Sequence, residues 1–203
     1  SGGSIIEDFD GDGLLDVMTS SWGLADPLLY FRNGGDGAFA DQTAAAGLGG
    51  QVGGLNITHA DYDNNGYADL LVLRGAWWNE DGHHPNSLLR NENGQFVDVT
   101  ETTGLLSFHP TQTAAWGDYD NDGFVDLYIG NESNDWEKHA CQLYQNQGGE
   151  AFVERAEALR VDNIGYVKGV AWGDGDNDGD IDLYLSRMGQ VNAYYRNDGE
   201  RGF

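Results

Sequence analysis

Short runs of alternating apolar and polar residues succeed one another along the chain, separated by turns rich in Gly, Asp and Asn. Alternation with a period of two predicts half-buried β-strands, not helices. Groups of four such runs recur about every 55 residues, and the fourth run of each group begins with Phe. Four strands in a repeat of this length are typical of a propeller blade. We therefore predict an all-β fold of β-propeller-type blades, about four in number, each with four antiparallel strands.

Each repeat contains a nine-residue acidic loop between its first and second predicted strands. The four copies begin at residues 8, 61, 118 and 174, so their starts are 53, 57 and 56 residues apart. Carboxylate or amide side chains occupy positions 1, 3, 5 and 9, and Gly occupies position 6. Calcium takes about six to eight oxygen ligands, and Gly permits the sharp turn that brings the carbonyl of position 7 to the same centre. The pattern predicts about four calcium ions, one in each loop.

The predicted ligands are the side chains at positions 1, 3, 5 and 9 and the backbone carbonyl at position 7. They are Asp8, Asp10, Asp12, Leu14 and Asp16; Asp61, Asp63, Asn65, Tyr67 and Asp69; Asp118, Asp120, Asp122, Phe124 and Asp126; and Asp174, Asp176, Asp178, Asp180 and Asp182. The second loop has one carboxylate fewer because Asn65 replaces Asp, so we expect its site to bind calcium most weakly.

Other interpretations of the acidic loops fit less well. An EF-hand shares the Asp-x-Asp-x-Asp-Gly start, but these loops end with Asp at position 9 and have β-type flanks, not amphipathic helices. Magnesium keeps several waters and is rarely held in all-protein cages. Asx-turns without a cation would leave four or five carboxylates repelling one another within nine residues.

The net charge of −24 agrees with four acidic metal sites and excludes a basic nucleic-acid footprint. The chain has 31 Gly and only 3 Pro, which favours many tight turns. Cys141 is the single cysteine, so no internal disulfide can form, and metal ions are the expected staples. No apolar run is long enough to predict a membrane span.

The residues 116–123 (Trp-Gly-Asp-Tyr-Asp-Asn-Asp-Gly) and 91–100 (Asn-Glu-Asn-Gly-Gln-Phe-Val-Asp-Val-Thr) carry a family resemblance. With the four loops, they resemble the FG-GAP/VCBS repeat of integrin-α-like propellers, as found in the ASPIC/UnbV and cartilage acidic protein families. The resemblance implies a calcium-binding propeller outside the cell. Such rings usually have more blades than this chain, whose repeats are predicted at about 1–52, 53–110, 111–166 and 167–203, the last incomplete. The chain is then expected to be part of a larger ring or of a repetitive array.

The loops between the second and third strands lie on the face opposite the acidic loops. They contain Trp22, Trp77, Trp78 and Trp136, a candidate platform for a protein or glycan ligand, although such residues also serve as lids on a core. Asn131 in Asn-Glu-Ser matches the N-glycan acceptor pattern. The five histidines show no zinc-ligand spacing, and no nucleophile or phosphate-binding motif is present.

These patterns predict an extracellular or cell-surface recognition, adhesion or scaffold module and no catalytic residues. Two alternatives remain open: a self-associating subunit of an extracellular fibre, and an accessory or catalytic propeller of a polysaccharide-degrading enzyme. A cluster of Lys, Arg, Tyr or His on the Trp-containing face would indicate the enzyme, and regular end-to-end particles would indicate the fibre.

Overall fold

The computed structural model describes residues 2–23, 25–78, 81–199 and 202–203. Within these residues the chain forms 15 strands in four antiparallel sheets and one short helix. The first sheet contains β1 Ser4–Glu7, β2 Asp16–Thr19, β3 Leu29–Asn33 and β4 Phe39–Asp41. The second contains β5 Asn56–Ala60, β6 Asp69–Leu73, β7 Ser87–Glu92 and β8 Gln95–Asp98. The third contains β9 Thr111–Gly117, β10 Asp126–Asn131, β11 Gln142–Asn146 and β12 Phe152–Glu154. Helix α1 Ala156–Leu159 precedes the fourth sheet, which contains β13 Val167–Gly173, β14 Asp182–Arg187 and β15 Ala193–Tyr195.

Every sheet is a meander in which neighbouring strands follow chain order. The first and second strands form a hairpin whose connection is the acidic loop, with Asp126 opposite Gly117 at the loop end of β10 and β9. The predicted all-β fold of antiparallel blades is therefore confirmed. The fourth sheet has three strands within the described residues.

The core lies between consecutive sheets. Their first strands are neighbours in the order β1, β5, β9 and β13. Strands β6 (Asp-Leu-Leu-Val-Leu) and β10 (Asp-Leu-Tyr-Ile-Gly-Asn) are buried along their whole length, since a sheet packs on each of their faces. This double burial explains why these two strands are largely apolar runs rather than strictly alternating ones.

Aromatic side chains at position 2 of the acidic loops fill the spaces between sheets. Phe9 is fully buried and packs edge-on against Phe96 of the next sheet, with ring centroids 5.8 Å apart. Tyr62 packs on Phe152 at 5.6 Å, and Tyr119 stacks with Trp172 at 6.5 Å. Each of the first three acidic loops is thereby fixed to the core of the following blade, whereas the fourth has Gly175 at this position.

Candidate metal centres

Hydrogen bonds inside each acidic loop orient its carboxylates. In the third loop, the Asp118 carboxylate accepts the backbone N–H groups of Asp122 and Gly123, both at 3.0 Å. Asp122 Oδ1 accepts the N–H of Phe124 at 2.9 Å. The other three loops repeat this network with distances of 2.8–3.1 Å. The backbone therefore wraps around one centre in all four copies.

Two positions in each loop have positive φ. Position 6 is always Gly, for example Gly123 with φ 92°. Position 4 is also left-handed and holds Gly11 or an Asn, for example Asn121 with φ 58°. Gly and Asn are the residues that adopt this conformation most readily, which explains the choice at both positions.

The Asp at position 9 is the first residue of each second strand and is buried. Asp126 is fully buried, and its carboxylate accepts the N–H groups of Asn146 at 2.8 Å and Tyr119 at 3.0 Å. Burial raises the pKa of Asp69 and that of Asp126 to about 7, although these hydrogen bonds oppose the shift. Buried carboxylates are ionised at neutral pH most easily beside a cation, so the donor set fits a divalent ion.

Carboxylate oxygens converge in all four loops. In each, three Asp residues offer oxygens that lie within 4.8 Å of one another. The groups are Asp8, Asp10 and Asp12; Asp61, Asp63 and Asp69; Asp118, Asp120 and Asp122; and Asp174, Asp176 and Asp182. Oxygen donors at this spacing suit a hard cation.

The remaining predicted ligands have different surroundings. Asp16, Asp126 and Asp178 belong to the same loops but lie outside these groups. The Asn65 amide donates to the Asn91 carbonyl at 2.9 Å. The carbonyls of Leu14, Tyr67, Phe124 and Asp180 stay predicted ligands.

A side chain at or next to the end of the third strand reaches the first, third and fourth loops, a feature that we did not predict from the sequence. Arg32 binds Asp10 and, at 2.6 Å, Asp12; Arg196 lies 3.7 Å from Asp176. The third loop differs because the neutral Gln145 amide donates to Asp120 at 2.6 Å. The residue before the recurring Asn therefore sets the local charge beside these three sites.

An Asn at or next to the end of the third strand joins the second, third and fourth blades to the blade before each of them. The Asn91 side-chain amide donates to the Phe9 carbonyl of the first acidic loop at 2.9 Å, and to Ala68 O at 3.0 Å. Its backbone N–H donates to Asp69 of the second loop at 2.7 Å. Asn146 and Asn197 make the equivalent bonds to Tyr62 O and Tyr119 O, both 2.8 Å. The recurrence of this Asn in every repeat is the feature of the sequence that could have indicated its structural role.

The four predicted face tryptophans do not form one platform. Trp22 stacks on Trp78 with ring centroids 4.8 Å apart. Trp78 and the largely exposed Trp136 line a cleft of about 860 Å³. Trp77 lies elsewhere, with the Lys168 ammonium 3.5 Å from its ring centre.

Asn131 is a poor glycan acceptor, contrary to our expectation. It is the last residue of β10 and is fully buried. Its side-chain amide donates to the Ala140 carbonyl at 2.7 Å, so a glycan would break the bond and find no space.

Three histidines meet beside the cleft, although their sequence spacing gave no such indication. His83 Nε2 lies 2.8 Å from Glu137, and His139 Nε2 lies 3.5 Å from the other oxygen of that carboxylate. His109 Nδ1 lies 3.0 Å from His139 Nδ1. Burial lowers the pKa of His109.

Comparison with known proteins agrees with this geometry. The family model described as FG-GAP-like repeat matches residues 8–72, 76–129 and 118–185. The chain therefore belongs to the FG-GAP-like repeat family, as its sequence resemblance indicated.

Cartilage acidic protein 1 from Homo sapiens is 28% identical over 188 residues, covering 87% of this chain and 27% of that protein. The protein of the same name from Mus musculus is 27% identical over 188 residues, covering 87% of this chain and 28% of that protein. The Xenopus tropicalis protein of that name is 28% identical over 169 residues, covering 79% of this chain and 25% of that protein. The chain thus spans about a quarter of the length of these relatives. Among the described residues, no helix has the length and apolar character needed to cross a membrane.

Proposed function

We propose that this chain is a calcium-stabilised recognition or scaffold module that works outside the cell. The observation behind this proposal is the convergence of three carboxylates in each of four equivalent loops. Family membership and similarity to cartilage acidic protein 1 also favour an extracellular module of this kind.

Calcium in this proposal serves the fold. Each loop joins two strands and is tied to a neighbouring blade through Asn91, Asn146 or Asn197. An ion that binds the folded loop and not the unfolded chain stabilises the fold by about 2.7 kcal/mol when its concentration is 100 times Kd. Four such sites would supply most of the stability of a domain, whose total is about 5–15 kcal/mol.

Recognition is proposed for the opposite face. Its cleft exposes Trp136 together with polar groups of Asp81, Asn134 and Asp135. A large aromatic surface beside hydrogen-bonding groups suits a sugar ring or a protein side chain. The four acidic loops are far less suited to binding such a ligand, because their carboxylates already accept hydrogen bonds from the backbone of the same loop.

Calcium titration and thermal melting test the metal half of the proposal. Calorimetry should show about four binding events, and excess chelator should lower Tm strongly. Two matched variants each remove one carboxylate. Asp118→Asn changes a predicted metal ligand, and Asp135→Asn changes a residue outside all four predicted sites. Only the first should reduce the number of ions bound; an equal effect of both, or a melt unchanged by chelator, would refute calcium stabilisation.

Binding assays test the recognition half independently. Calcium-loaded protein is applied to a glycan array and to a panel of immobilised extracellular-matrix proteins. Trp136→Ala should abolish any specific signal, whereas Phe39→Ala, another exposed aromatic residue outside the cleft, should not. Equal signals from both variants would exclude the cleft as the recognition surface.

A further inference from the structure

The cleft face contains a group of nitrogen and oxygen donors that is separate from the acidic loops. His83 comes from the loop after β6, and Glu137 and His139 come from the loop after β10. One donor atom of each lies within 4.8 Å of the other two. The site thus joins the corresponding loops of two adjacent blades.

The Nε2 atom of His139 is buried beside this group. The residue is 4% exposed, and its Nε2 has no hydrogen-bond partner among the described residues. Its Nδ1 lies 3.0 Å from His109 Nδ1, and a bond between two neutral rings at that distance requires one nitrogen to donate and the other to accept. If His139 Nδ1–H donates to His109, the unprotonated Nε2 is the atom that faces His83 and Glu137.

We propose that His83, Glu137 and His139 form a zinc-type transition-metal site. In this proposal His109 orients His139 by accepting a hydrogen bond from the Nδ1–H of His139. Two imidazole nitrogens and one carboxylate are a ligand set that zinc accepts. With zinc–ligand bonds of about 2.0–2.2 Å, donors in a tetrahedral site lie roughly 3.4 Å apart. The observed separations, 2.8 Å from His83 Nε2 to one Glu137 oxygen and 3.5 Å from His139 Nε2 to the other, bracket this spacing.

The fourth position of the proposed site opens into the cleft. His83 and Glu137 are both part of the cleft wall, next to Trp78 and Trp136. Three protein ligands with an open fourth position are typical of zinc sites that hold an exchangeable water. The second nitrogen of a metal-bound His usually donates to another protein group, the role assigned here to the contact with His109.

A simple ion pair between His83 and Glu137 is the competing interpretation. It accounts for the 2.8 Å contact but leaves the buried His139 Nε2 with only a 3.5 Å approach to the other Glu137 oxygen and no hydrogen bond, which is costly for a polar atom. A metal ion satisfies all three donors together, so it explains more of the geometry.

Cobalt and zinc titrations of the whole chain in saturating calcium provide the test. Calcium occupies the oxygen-rich loops, and Co²⁺ then reports on nitrogen ligation through the intense visible absorption of the four-coordinate ion. We expect one equivalent of Co²⁺, displaced by one equivalent of Zn²⁺. Replacing a ligand in His139→Ala or Glu137→Gln should remove this signal, and His109→Phe should weaken affinity by about 10–100-fold.

His84→Ala is the matched control, because His84 is the sequence neighbour of His83 but lies outside the donor group. It should bind like the original chain. Melting in calcium shows whether each variant folds. If His139→Ala does not fold, Glu137→Gln still tests the site, because it keeps the size of a partly exposed side chain. Absence of a four-coordinate signal in the original chain overturns the proposal, as does equal loss of binding in His84→Ala or retained binding in Glu137→Gln.

Discussion

Replacing Asn146 with Ala should strongly destabilise the fold, because this side chain bonds three backbone groups and is 1% exposed. Its amide donates to Tyr62 O at 2.8 Å and to Val125 O at 3.0 Å, and its Oδ1 accepts the N–H of Gly149 at 2.7 Å. Alanine leaves all three groups without their partner; the bond to Tyr62 O is buried, and the other two are partly buried.

The expected loss follows from the cost of unmade hydrogen bonds. Each buried group that loses its partner costs about 1–3 kcal/mol, and a satisfied bond contributes about 1 kcal/mol net. Three groups near the lower end of this range give a loss of about 3–5 kcal/mol. This is a large fraction of the free energy of unfolding of a typical domain.

Asn33 provides a matched control at the same position of the first blade. Its side-chain bonds are to Leu15 O and Gly35 N, both 3.0 Å, within its own sheet and exposed to water. Water replaces these partners, so Asn33→Ala should cost about 1 kcal/mol or less. The difference between the two variants measures the buried, inter-blade share of the interaction.

Chemical denaturation at fixed saturating calcium, followed by Trp fluorescence, gives both free energies. Asn146→Asp serves as a second variant: it keeps the shape and the acceptor for Gly149 but replaces the amide donor with a carboxylate facing two carbonyls. It should be at least as unstable as Asn146→Ala. Equal losses in Asn33→Ala and Asn146→Ala, or a stable Asn146→Asp, would refute the hydrogen-bond reasoning.

Three further predictions follow from the loops and the core. Asn65→Asp adds a fourth carboxylate to the second loop but removes the bond to the Asn91 carbonyl, so Tm should rise in calcium and fall in chelator; a fall in both would contradict the predicted weakness of this site. Gln145→Arg places a positive charge beside Asp120 and should weaken one calcium site by a factor on the order of 10 in calorimetry, with the other sites unchanged. The Cys141 thiol is 1% exposed and burial raises its pKa to about 11, so at pH 8 a disulfide reagent should modify it slowly in calcium and rapidly in chelator; rapid modification in both would show that the core around it opens without metal loss.

Local patterns in the sequence were sufficient for the strands and the acidic loops. Strand alternation and the spacing of the Asp residues in loop 118–126 depend on residues close together in the chain, so each repeat shows both patterns by itself. The inter-blade bond from Asn146 to Tyr62 O spans 84 residues, and no local pattern indicates which carbonyl the amide reaches. The Asn is visible as a recurring residue, but its partner depends on how blades pack.

The histidine group was missed because ligand spacing was sought within one segment. His83 and His139 are 56 residues apart, which is about one repeat. Residues one repeat apart occupy corresponding loops of adjacent blades, and those loops are neighbours in space. In a repeat protein the meaningful ligand spacing therefore includes the repeat length, and a search with that period would have paired these two histidines.

The same period explains how the acidic loops act on one another. Asn91 donates its backbone N–H to Asp69 in the second loop and its side-chain amide to Phe9 O in the first. An ion that fixes Asp69 also fixes Asn91, and through it the backbone of the preceding loop. Asn146 and Asn197 repeat this connection along the chain. Stability in such an array is a sum of blade terms and nearest-neighbour terms. Because a loop belongs to one blade and accepts a bond from the next, metal bound in one loop contributes to both terms.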